Sequence, residues 1–240
     1  MKYIPLKYIK EDPSVGGADT GADTKEPTEL LERLVTDLRQ QLAELSPGSE
    51  ALRRADLLLQ LGRALVRLEK KPEAWGAARA ALDLYLADES WEGAVQACDI
   101  LFVADQALSL AALGQGIWLA VTYPVDPELS VALLQHVVDE TPPEADGAAV
   151  AAVTAHYLVD VRAQEPQREH LLIFTNQLLA TVARRHSSVE GQQDFDKWVQ
   201  DMELNDPALF LPRLRNVVDV LVQDDWWFDR DSLQTKLPVH

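Results

Sequence analysis

A single cysteine, Cys98, stands in 240 residues. That scarcity excludes an intramolecular disulfide and any zinc site built on several thiolates, so nothing in the chain calls for an oxidising compartment. Basic residues are also few: 22 Lys and Arg face 39 Asp and Glu, for a formal charge of -17. Nucleic acid or an anionic membrane would have to be approached against a like-signed field, so neither is expected as a partner, whereas basic protein surfaces and cations are permitted. Glycine and proline, 11 and 13 residues, are too sparse for a low-complexity chain. Long apolar runs are missing as well. The richest stretch, 100–121, is interrupted by Asp105, Gln106, Gln115 and two glycines, short of the roughly 20 nearly uncharged residues that span a bilayer. Residues 1–10 carry three lysines and no apolar stretch of signal-peptide length, so a cytoplasmic location is expected.

What the chain does have is a 47% apolar share, enough for one large or two small cores. From Thr28 onward that share is spaced for helices. Leu30, Leu31, Leu34, Val35, Leu38, Leu42 and Leu45 recur at three and four, and no segment alternates with period two. Pro27, Pro72, Pro127, Pro142, Pro166 and Pro207 each stand where a helical pattern begins, the position at which a missing N–H does no harm. Asp126 and Asp206 precede first-turn prolines as acidic caps, and Thr141 to Glu144 and Ser187 to Glu190 have capping-box spacing. These signals predict helices near 28–45, 50–69, 72–87, 90–104, 106–122, 127–140, 143–163, 167–186, 188–203 and 207–223. The protein is expected to be all-α, with short turns making consecutive helices antiparallel neighbours.

Three of the predicted hairpins share one pattern. Leu58, Leu61, Gly62 and Leu65 are followed by Ala74, Ala78 and Ala81. Thirty-three residues on, Trp91, Ala94, Val95 and Cys98 are followed by Ala107, Ala111 and Gly114. A further 38 on, Leu129, Ala132, Leu133 and His136 are followed by Ala145, Ala149 and Ala152. Small residues at fixed points let two helices cross closely while larger ones fill the space between hairpins. The spacing resembles the tetratricopeptide repeat, over 55–160 and best over 58–81, although the proline that usually closes such a repeat is absent. The resemblance implies hairpins stacked as an α-α superhelix whose concave face, lined by the first helix of each pair, binds peptides or protein segments. The expected organisation is an N-terminal segment and linker over 1–27, a tetratricopeptide-like region over 28–165, and a C-terminal helical cap over 166–240 continuous with it.

Neither end follows the pattern of the middle. Lys-Tyr-Ile occurs at 2–4 and again at 7–9, ahead of a stretch with almost nothing to bury. Tyr3, Ile4, Tyr8 and Ile9 therefore belong either to a strap on the protein's own surface or to a tethered motif for a partner. At the other end, Trp226, Trp227 and Phe228 stand among aspartates. They either fold back to seal the helical stack or serve as an aromatic contact for a basic partner.

Chemistry-bearing residues are scattered. His136 and Glu140 lie one turn apart, as do His156 and Asp160 on the next predicted helix. That set suits a divalent metal, but each of its residues also has a packing or helix-end role. Cys98 falls among Ala94, Ala97, Leu101 and Phe102, the setting of a small buried hydrophobe. Gly114-Gln115-Gly116 follows no strand, and there is no Walker motif or Gly-x-Ser-x-Gly elbow. The expectation is a non-catalytic interaction scaffold, adaptor or assembly chaperone without a cofactor, its partner another protein with a basic surface. A metal-binding helical protein or metal-dependent enzyme is the alternative, and pairing with a second copy is a third outcome.

Overall fold

The computed structural model describes residues 28–46 and 50–235. Among them are eleven helices and no strand: α1 (Thr28–Glu44), α2 (Ala51–Arg67), α3 (Lys71–Ala87), α4 (Trp91–Val103), α5 (Ser109–Thr122), α6 (Pro127–Glu140), α7 (Asp146–Arg162), α8 (Gln167–Ser187), α9 (Gln192–Asp201), α10 (Pro207–Val222) and α11 (Arg230–Gln234). The all-α expectation holds, and sequential helices pack on their neighbours. The chain divides into two compact units, with the division between Gly116 and Ile117, inside α5.

In the first unit α1 packs on α2, α2 on α3 and α3 on α4, and α2 also reaches α4. Gly62 explains how three helices meet. A Cβ built there would lie 3.2 Å from the Ile100 side chain, 3.6 Å from the Ala74 carbonyl oxygen and 3.7 Å from Ala78 Cβ, so the bare α-carbon is what allows α2 so close to α3 and α4. Ala74, Ala78 and Ala81 are fully buried on α3, and Ala94, Val95, Ala97 and Cys98 on α4. Val35, Leu38, Leu57, Leu61 and Leu65 form the core between α1 and these small residues.

The second unit is organised around α7, which packs against α6, α8 and α10. Ala148, Ala149, Ala151, Ala152 and Ala155 are all completely buried. Methyl-sized side chains on every side let three neighbours approach one helix at close range. Leu129, Leu133 and Leu134 on α6 and Leu171 on α8 fill the space around it.

Two acidic caps form as the sequence predicts: Asp126 accepts from the Glu128 N–H and Asp206 from the Ala208 N–H. Both capping boxes do not form. Thr141 closes α6 instead of opening α7, its hydroxyl donating to the Val137 carbonyl at 2.5 Å, so α7 begins three residues later than expected, behind Ala145. Ser187 is the last residue of α8, and α9 starts only after Gly191. The helix after α4 begins at Ser109, whose hydroxyl takes the Gln106 N–H and donates to the Leu101 carbonyl. Ala107, assigned to the repeated pattern, is therefore an exposed turn residue. The short α11 was not anticipated; Asp229 caps it by accepting from the Asp231 and Ser232 amides.

Scarce glycine has a structural consequence at the helix ends. Glu69, Glu89 and Glu203 adopt φ of 56°, 59° and 53°, the left-handed conformation that glycine usually supplies after a helix. The backbone bonds of that turn are complete, with Lys70 N–H to Leu65 and Glu69 N–H to Val66, and Leu204 N–H to Val199 and Glu203 N–H to Gln200. Replacing Glu69 or Glu203 by glycine is expected to raise stability by about 1 kcal/mol each, since a side chain in this conformation costs ~1–2 kcal/mol. Gly93→Ala should do the opposite: its new Cβ would fall 2.5 Å from the buried Tyr85 ring, and overpacking of this kind costs about 1–3 kcal/mol. Urea unfolding midpoints of the three variants check both signs.

Candidate binding surfaces

Polar side chains pair across the helices of the first unit at similar sequence separations. Arg39 on α1 pairs with Glu73 on α3, Arg63 on α2 donates to Gln96 on α4, and Lys71 meets Asp105 at 3.2 Å; the separations are 34, 33 and 34 residues. They lie close to the 33-residue shift between the first two patterned hairpins. α2 presents Asp56, Gln60, Arg63 and Arg67 as exposed residues, and α4 adds exposed Glu92 and half-buried Gln96 and Asp99. Within this surface the Asp56 carboxylate accepts from the Tyr85 hydroxyl at 2.6 Å. Burial and that carboxylate both push the Tyr85 phenol above its ordinary value.

The second unit holds a cleft of about 230 Å³. Trp118 and its neighbours on α5 form one wall, Leu211, Leu214 and Val218 of α10 another, and Arg230, Asp231 and Gln234 the rim. The aromatic segment 226–228 folds back here. Trp226 lies edge-on to Trp118 with centroids 6.3 Å apart, and Phe228 is 5.5 Å from Trp118 and 5.7 Å from Trp226. The Arg230 guanidinium sits 4.0 Å from the Trp226 ring centroid and donates to Asp219 at 2.9 Å. The Tyr123 hydroxyl donates to the Leu233 carbonyl at 2.8 Å, which anchors α11. Trp226, Trp227 and Phe228 are each half-buried, so the segment both seals the end of α5 and keeps aromatic surface in water. Arg230, adjacent in the chain, and Trp118 complete the cluster, and no sequence spacing linked Trp118 to it. Tyr3, Ile4, Tyr8 and Ile9 lie outside the described residues.

The four residues considered for a metal have separate roles. His156 Nδ1 is 3.0 Å from the Thr175 hydroxyl, which itself donates to the Leu171 carbonyl. Asp160 pairs with Arg168 at 2.5 Å. Glu140 is exposed at the end of α6, and His136 is half-buried on the same helix. Among the described residues no group of three or more His, Cys, Asp or Glu side chains is gathered where it could hold a metal ion. Cys98 is fully buried, and burial pushes its thiol up to about 12, so it is not a thiolate nucleophile at neutral pH. No described helix is long and apolar enough to cross a membrane.

These features define an all-α protein of sequentially packed helices. No family model, curated protein or solved structure matches the chain.

Burial lowers the His156 pKa below its ordinary 6.5, with Asp160 partly opposing the shift. The folded state therefore prefers the neutral ring, and the unfolded chain takes up the proton first. The stability tied to His156 is present above about pH 6.5 and lost as pH falls below it. Urea unfolding at pH 7.5 and 5.5 is expected to show a smaller acid-induced loss for His156→Gln than for the parent chain.

Proposed function

We propose that the chain is a non-catalytic scaffold, of the tetratricopeptide-like kind, that binds another protein across the α2–α4 surface of its first unit. The observation that carries this reading is the set of cross-helix pairs at 33 and 34 residues, Arg63 to Gln96 above all. Pairs at that separation support successive hairpins presenting equivalent faces in register, which is how stacked helical hairpins build an extended recognition surface from short units. Gly62 supports it, because it stands at the α2–α3–α4 crossing where the family's pattern has its glycine. The acidic composition selects a partner whose contacting segment is basic. Glu92 and Asp99 are the acids on α4 from which such a segment would draw its pairing.

The test is affinity capture by the full chain from the cytosol of its source cells, followed by titration of the captured partner. The double variant Glu92→Lys, Asp99→Lys should keep the parent's thermal midpoint within a few degrees. It should bind about tenfold more weakly, since two solvent-accessible pairs at about 0.5–1 kcal/mol each amount to that factor. A partner bound equally well by the parent and the variant would place recognition elsewhere.

A further inference from the structure

The aromatic cleft of the second unit has a floor and a charge pattern that together specify an occupant. Its apolar lining comes from Ile117, Trp118, Val121, Leu211, Leu214 and Val218, and at about 230 Å³ it has room for one or two side chains and not for a folded element. The two arginines at its edge are already answered: Arg215 and Arg230 both face Asp219, at 3.9 and 2.9 Å, and the Arg230 guanidinium also sits 4.0 Å from the Trp226 ring centroid. The 224–231 segment, whose Trp226 and Phe228 pack on the lining residue Trp118, contributes the acids Asp224, Asp229 and Asp231 beside the cleft. A fitting ligand is therefore a short chain segment that alternates large apolar residues with isolated positive charges.

We propose that residues 1–10 of the same chain dock in this cleft. This segment has Lys2, Lys7 and Lys10 with no acid before Glu11, and between them Tyr3, Ile4, Leu6, Tyr8 and Ile9. It is the only stretch of the acidic chain that combines three cations with five large apolar residues in ten positions. Tyr and Ile side chains match the apolar Trp118 and Leu214 lining, and the lysines complement the acids of the 224–231 segment in charge. The seventeen residues from 11 to 27 span up to about 60 Å when extended, so the tether imposes little restriction. Docking of this kind would cover the half-exposed Trp226 and Phe228 rings. It stands independently of what the α2–α4 surface binds.

The experiment uses the full chain with a benzophenone amino acid in place of Tyr8, irradiated at micromolar concentration and mapped by mass spectrometry. Cross-links within one molecule to 117–122, 211–218 or 226–234 are expected. Their yield should fall about tenfold in the variant Lys2→Glu, Lys7→Glu, Lys10→Glu, given ~0.5 kcal/mol for each exposed pair. It should fall likewise in about 0.5 M NaCl, where exposed charges are largely screened. The charge-reversing substitutions lie outside every described helix, so they leave the fold of the cleft intact. Cross-links to other surfaces, cross-links only between two molecules, or a yield indifferent to both charge reversal and salt would each overturn the proposal.

Discussion

Short turns between helices leave the last carbonyls of each helix close to the core, and the structure depends on satisfying them. A buried helix end without partners is costly, because four carbonyls lack intrahelical donors. Some ends are closed by the backbone itself, as after α2, α3 and α9. Others are closed by arginines that arrive from elsewhere in the same unit. Arg54 donates to the Leu45 carbonyl after α1, Arg162 to the Ala120 and Val121 carbonyls of α5, both at 2.6 Å, Arg185 to Val138 of α6 and Arg213 to Met202 after α9. Each places positive charge at the negative end of a helix dipole.

This arrangement changes the meaning of the acidic charge. In a chain with so few cations, several arginines are committed to helix ends inside the fold and are half-buried there; Arg162 is held below its usual pKa by that burial. They contribute to packing and helix termination more than to the surface field. The surface is consequently even more acidic than the composition alone indicates.

The two units solve helix packing differently. In the first, a glycine at one crossing and alanines on α3 keep adjacent helices close, and polar pairs recur 33 and 34 residues apart. In the second, α7 is lined with alanine on several sides and serves three neighbours. Its cross-helix bonds span longer distances, 39 to 42 residues for Arg162 and Gln167. The longer shift to the third patterned hairpin was the visible trace of that change. The aromatic cleft belongs to the second arrangement, where the chain doubles back after α10.

Helical class, most helix positions, the aspartate caps and the small-residue crossings were legible in the sequence. Each rests on interactions within a few residues or on a periodic pattern, and those are local properties. The Thr141 and Ser187 capping boxes misled because a hydroxyl at a helix boundary can close the preceding helix as readily as open the next. Which of the two it does depends on where the neighbouring helix packs. The same holds for the site residues. The sequence marked Trp226, Trp227 and Phe228 as unusual, but only the tertiary fold brought Trp118 to them from far along the chain and set the neighbouring Arg230 over the Trp226 ring. It likewise gave His156 to Thr175 and Asp160 to Arg168, two partnerships that no spacing on their own helix could reveal. The sequence determined that this chain forms helices and where their small faces lie; the tertiary structure decided which helix ends needed arginines and which side chains were left to form a surface, because those outcomes depend on distances that local periodicity does not encode.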